Sequence, residues 1–214
     1  MSRSPNQSKK PLLAAERRPL ALKLRMRMQS ASLMWDDDNN APGARIAMPA
    51  PVLIHVAPVT PTLAPGVRAV EVAPAQSAYV GNTAFNLLDA ESDANSEAMA
   101  ILVNGRVIGF YRLDFGPRSV IGRELGTPHI GVRAFCIDHR HQGRGHGSRA
   151  AAAMAEDVRR RHPDQRLMVL AVHARNRVGI AAYQRAGFVH NGQYMSGGRA
   201  GPQLVMFRYL PAQR

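Results

Sequence analysis

Gln142-Gly-Arg-Gly-His-Gly147 stands between an apolar run, Ile130–Ile137, and an alanine-rich stretch of helical pattern, Ser148–Arg161. That order, strand then glycine turn then helix, builds an anion site from backbone. The first turn of a helix leaves its N–H groups unpaired and carries the positive end of the helix dipole. Glycine at 143, 145 and 147 lets the main chain close on a phosphate without Cβ atoms in the way. Two familiar phosphate loops are excluded. No Lys-Ser/Thr follows Gly147, and no acidic residue lies at the distance that a dinucleotide ribose would need.

A second motif follows at Asn176-Arg-Val-Gly-Ile-Ala-Ala-Tyr183-Gln-Arg-Ala-Gly187-Phe188, beyond a strand-like segment, Leu167–Val172. Together the two stretches resemble the GCN5-related N-acetyltransferase superfamily. Its acetyl-CoA signature is Gln/Arg-x-x-Gly-x-Gly/Ala, then a strand, then an Asn-x-x-Ala-x-x-x-Tyr-x-x-x-Gly-Phe helix. Gly179 stands where alanine is usual and Ala182 where a larger apolar residue is usual. The resemblance covers roughly residues 50–214. Within it, Pro74–Asn82, Ile137–Gly147 and Gly201–Met206 look similar to the polyamine (spermine/spermidine) acetyltransferase-like branch.

The resemblance implies an α+β fold of mixed three-layer type: a twisted mixed sheet flanked by helices, with central strands splayed to admit the cofactor. It implies an acetyl-CoA-dependent N-acetyltransferase that transfers acetyl directly to a primary amine. Gln142, Gly143, Arg144, Gly145, His146 and Gly147 would hold the pyrophosphate, with charge added by Arg140 and Arg149. The backbone of Cys136 and Ile137 would pair with the pantetheine arm, as would the Asn176 side chain. Asn176 is also a preferred helix N-cap, and the two roles are compatible. Tyr183, about two turns along the same helix, matches the general acid. A tyrosine near pKa 10 can protonate a thiolate whose reference value is about 8.5.

The base is less clearly written. A primary amine is about 3 pKa units from neutral at pH 7, a cost of roughly 4 kcal/mol. Glu124 and His129, just before the motif strand, are the candidates, each with an ordinary loop residue as its alternative. Cys136 within an apolar strand reads as inert packing rather than a nucleophile. Asp138 reads as structural. His139, His141 and His146 form no recognised closed zinc set, so no metal is expected. A cationic acceptor would want carboxylates, for which Glu71, Asp89, Glu91, Asp93 and Asp114 are candidates.

Bulk properties set the bounds. The chain has 214 residues, 45% of them apolar, enough for one domain with a core. A single cysteine excludes an internal disulfide framework and suits a reducing, cytoplasmic setting. No apolar run approaches the roughly 18 residues of a membrane span. The net charge of +13 invites a nucleic-acid reading, but aromatics are only 6% and none interleave the basic tail. No nucleic-acid partner is expected; a homodimer is only the family habit.

Residues 1–49 read as a separate, largely disordered basic extension before a domain at 50–214. A transit peptide, or a start at Met34 or Met48, are alternatives. The domain reads as a strand at Val52–Val56, helical turns at Pro74–Gly81 and Thr83–Glu91, then strands Ala98–Val103 and Val107–Phe115. Asn104-Gly105 between these two is the strongest short hairpin signal. After a loop at Gly116–Pro128 come the two motif units, with the second helix over Val178–Ala186. A terminal hairpin pairs Phe188–Met195 with Gln203–Leu210. The acceptor expected first is a free small-molecule, polyamine-like amine; aminoglycosides, amino acids, peptide N-termini and protein lysines stay open. A non-catalytic acyl-CoA sensor, or an interaction module using its basic tail, is the rival function.

Overall fold

Hydrogen bonding along the apolar segments draws seven strands into one sheet. A computed structural model describes residues 53–196 and 201–212, so the expectations for residues 1–49 and for the hairpin tip at 197–200 lie outside the described residues. The strands are β1 (Ile54–Pro58), β2 (Ser96–Val103), β3 (Arg106–Asp114), β4 (His129–Ile137), β5 (Leu167–His173), β6 (Tyr194–Met195) and β7 (Gln203–Tyr209). Their order in space is β1-β2-β3-β4-β5-β7-β6. Among the described strands only β4 and β5 run parallel, with α4 (His146–Arg161) as the crossover between them. The other helices are α1 (Ala64–Arg68), α2 (Ser77–Val80), α3 (Thr83–Ser92) and α5 (Arg177–Arg185).

Apolar residues of the sheet face two ways. Ile130, Val132 and Tyr111 pack with Met154, Val158 and Phe188 on the α4–α5 side. Ala100, Phe110 and Cys136 pack with Val67 and Leu87 of α1 and α3 on the other side. The expected three layers are present. The β2–β3 turn is the expected hairpin, with Asn104 and Gly105 both at positive φ, which a two-residue turn needs to match the strand twist.

Two features open the middle of the sheet. Paired residues on β4 and β5 run from His129 and Leu167 to Val132 and Leu170, and then the strands part. On the other edge of β4, Phe110 pairs with Cys136 but Arg112 pairs with Arg133, leaving Ala134 and Phe135 opposite Tyr111. This is a β-bulge, with Ala134 at φ 52°. It switches the phase of the strand. Phe135 and Ile137 join the α4–α5 side with Val132, while Ala134 and Cys136 turn to the α1–α3 side.

Several boundaries differ from the sequence expectation. The first strand lies at Ile54–Pro58, set by antiparallel pairing with Val103–Met99. Helix α1 was not expected; it is a single turn begun by a proline near its start and ended by Ala69. The C-terminal hairpin is shorter than expected: β6 is two residues, and Val189 makes only an isolated bridge to Phe207. β7 instead takes its full-length pairing from β5.

Candidate active site

The glycine turn is built as the sequence implies. Gly143 and Gly145 adopt φ 75° and 73°, and Gly145 is the N-cap of the 16-residue α4, which starts two residues earlier than expected. Side chains lock the turn from behind. Gln142 donates to the Ile137 carbonyl at 2.7 Å and exchanges amide hydrogen bonds with Gln76 at 2.9 Å. Asp138, 2% exposed, accepts from the Arg140 guanidinium at 2.6 Å and 2.8 Å and from the Arg140 and Glu71 backbone N–H groups. These bonds, led by the Arg140 side chain, hold its carboxyl well below the usual range. Asp138 is therefore structural, as expected.

A cleft of about 310 Å³ runs where β4 and β5 part. Of the residues expected to carry the site, Cys136, Ile137, Gln142, Gly143, Gly145, His146, Gly147, Asn176 and Tyr183 all line it. Asn176 caps α5, its Oδ1 accepting from the Gly179 N–H at 2.9 Å. Gly179 has a local reason: a Cβ there would come within 2.6 Å of the Asn176 Nδ2. Ala182 likewise faces Gly147, where α4 and α5 come close. Tyr183 is 8% exposed and packs edge-on to Phe135 and Phe188 at 5.5 and 5.6 Å. Burial, with a lesser contribution from Cys136, raises its hydroxyl far above the ordinary tyrosine value.

His146 is 6% exposed, and its Nδ1 has no hydrogen-bond partner among the described residues. Burial first, then Arg149, His141 and Arg144, pushes its pKa down, so the ring is neutral near pH 7. A neutral ring with an orphaned nitrogen in a cleft is a site that a ligand can complete. Cys136 faces the α1–α3 side, and burial raises its thiol to about 11. Such a thiol is a poor nucleophile.

Other candidates lie elsewhere. Arg144 is outside the cleft lining, Arg140 is spent on Asp138, and Arg149 folds back on the Arg144 carbonyl at 2.8 Å. Glu124 and His129 line a separate hollow with Thr127 and Gln165. His129 opens β4 and Cys136 lies seven residues along, about 23 Å away at strand rise. Glu124 is exposed 3.8 Å from Arg118, and the His129 Nδ1 lies 3.0 Å from the Thr127 carbonyl oxygen. Being near β4 in sequence put them at its wrong end. The acids expected to hold a cationic acceptor are also engaged. Asp89 and Asp93 clamp Arg112, and Asp114 pairs with Arg133 at 2.6 Å. Neither Glu71 nor Glu91 lines the cleft. His139 turns its Nδ1 to the Glu71 carbonyl, and no metal-holding group of three His, Cys, Asp or Glu exists among the described residues.

In the wall from Val72 to Val80, where the sequence reading gave Pro74–Asn82 a resemblance but no residue a role, Val72, Gln76, Tyr79 and Val80 line the cleft. Tyr79 reaches the far strand, its ring 4.8 Å from that of His173 at the end of β5. The available signal was the glutamine and tyrosine in an otherwise small, apolar segment.

Known proteins resemble this chain in sequence and fold. The spermine/spermidine N(1)-acetyltransferase of Bacillus subtilis is 26% identical over 118 residues, 55% of this chain and 76% of that protein. A structure of AAC(6')-Ib in complex with paromomycin and acetyl-CoA superposes with a TM-score of 0.59 at 16% identity, covering 73% of this chain and 93% of that one. The ribosomal-protein-S18-alanine N-acetyltransferase from Escherichia coli gives 0.53 at 13% identity, covering 76% and 97%. No helix among the described residues is long and apolar enough to cross a membrane. Residues 68–188, more than half of the chain and the span that carries both motifs and the cleft, match the family model described as acetyltransferase (GNAT) family. The chain belongs to that family and is an acyltransferase.

Proposed function

We propose that this chain transfers acetyl from acetyl-CoA to a primary amine of a small molecule. The observation that supports it most is that one cleft gathers both motifs, the Gln142–Gly147 cradle and the Asn176–Tyr183 helix. The cradle fits a pyrophosphate. Its two left-handed glycines lie ahead of a 16-residue helix whose first N–H groups lack helical partners. A Cβ at Gly143 would meet nothing within 4 Å, so space remains for a ligand beside the turn.

Acetyl-CoA, when bound, supplies an activated thioester; the rest falls to this chain. Beyond Val132 the β5-facing backbone groups of β4 have no strand partner among the described residues and can hold an amide-bearing arm. The bulge at Ala134–Phe135 interrupts the β3 ladder beside Tyr183, and an N–H there stabilises a carbonyl oxygen gaining charge by about 3 kcal/mol. Tyr183, protonated at any ordinary pH, gives its proton to the leaving thiolate and is reprotonated, through water, by the proton that the attacking nitrogen loses as the amide forms. With Glu124 and His129 outside the cleft, we assign the amine proton to water. The positive surroundings (the α4 N-terminus and Arg185) favour the neutral amine.

The relatives do not choose the acceptor. One is named for spermine and spermidine, one carries an aminoglycoside and one is named for a protein alanine. The polyamine reading rests on the first. The test is release of free thiol from acetyl-CoA against a panel of amines, with acetyl-CoA binding followed by calorimetry. Binding without release for any amine would replace the enzyme by a sensor of acyl-CoA.

A further inference from the structure

The cleft is lined from both faces of the sheet. One mouth lies at the glycine turn and α5, on the α4–α5 side. The other lies under α2, whose Val80 packs with the α1–α3 cluster and whose Tyr79 bridges to His173 across the gap between β4 and β5. A cofactor anchored at the first mouth leaves the second to the acceptor. The charge in the cleft lining is one-sided. Residues 72–80, 133–137, 139–149 and 173–188 contain no Asp or Glu, and none follows Asp164 to the end of the chain. Among the described residues the cleft lining holds one arginine, Arg185 of α5, and no carboxylate. The carboxylates that adjoin these segments in sequence are Asp138, held by Arg140, and Glu71, which lies outside the cleft lining. What the opening offers is apolar or aromatic: Val72, Tyr79, Val80 and Phe135.

Resting on the acetyltransferase reading above, we infer that the acceptor is a monoamine with an uncharged, apolar or aromatic body, and that polycationic amines are disfavoured. The reacting amine loses its charge before attack, so it needs no carboxylate. Every further ammonium group of a polyamine or aminoglycoside keeps its charge and must sit desolvated in a cleft whose described lining offers it no carboxylate. An aromatic body instead stacks on the Tyr79–His173 pair.

The test compares kcat/KM for phenethylamine, spermidine and kanamycin with the full chain at saturating acetyl-CoA, read as thiol release, at 50 and 500 mM NaCl. Phenethylamine is expected to exceed both polycations by at least about tenfold. The gap should narrow at high salt, because screening weakens repulsion between like charges. Tyr79→Glu, which places a carboxylate at the mouth, should raise spermidine relative to phenethylamine by at least about tenfold. Spermidine or kanamycin turned over as well as phenethylamine, and falling with salt, overturns the inference and leaves the acetyltransferase reading intact. No thiol release with any amine overturns both.

Discussion

Tyr183 is where sequence motif and local environment meet. It is enclosed by Phe135 and Phe188, and burial holds its proton. Tyr183→Phe keeps the packing and removes the acid, so kcat should fall by about 100-fold, the lower range for a positioned proton donor. The KM for acetyl-CoA should stay within about twofold; a KM rise with unchanged kcat would make Tyr183 a binding residue. The pH profile follows from the same shift. A hydroxyl whose pKa is raised stays protonated as pH rises, so no falling limb is expected below about pH 10. The rising limb should follow the amine itself, climbing about tenfold per unit through pH 7–9. A plateau beginning near pH 6.5 would instead reveal a histidine base. Asp138 carries the opposite sign. Its folded pKa is depressed, so its contribution to stability is present above the unfolded value near 4 and is lost as pH falls through the folded one. Asp138→Asn should cost about 2 kcal/mol at pH 7. The difference from the parent chain in urea midpoints should shrink below about pH 4.

At the scale of elements, the two departures from the acetyltransferase motif find their reason in contacts between neighbours. Asn176 folds its side chain over the start of α5, so position 179 has room only for hydrogen. Gly179→Ala gains roughly 1 kcal/mol of helix propensity but displaces the Asn176 cap, worth about the same. Stability should therefore barely move, while the KM for acetyl-CoA rises several-fold as the Asn176 amide swings away. An unchanged KM would show that Asn176 acts only as a cap. Gly109 is a harsher case. A Cβ there would overlap the Cys136 carbonyl oxygen, where β3 and β4 lie close below the bulge. Because backbone cannot rotate aside, Gly109→Ala should lose about 2–3 kcal/mol in urea denaturation.

At the scale of the whole molecule, the described residues after 53 build the sheet, both faces of the core and the cleft lining. We expect that a chain begun at Met48 keeps kcat/KM within about twofold. A larger loss would assign residues 1–47 a part in binding. Much of this molecule was legible from its residues. The apolar alternation of β2 and β3, the left-handed pair Asn104-Gly105 and the Gly-x-Gly entry to α4 are local signals, satisfied by a few neighbouring dihedral angles. So are the order of the motifs and the place of Asn176 and Tyr183 on one helix face. Tertiary structure decided what depends on partners far along the chain. The bulge that turns Phe135 toward Tyr183 and Cys136 away exists only as a register between two strands. Pairing to Arg112 and Arg133, not acidity, settled the fate of Asp89, Asp93 and Asp114. Glu124 and His129 sat close to the motif in sequence and at the far end of β4 in space, because a strand carries its residues apart by more than 3 Å each. Local sequence set the backbone that meets the cofactor; long-range packing set which charges were left to meet the acceptor.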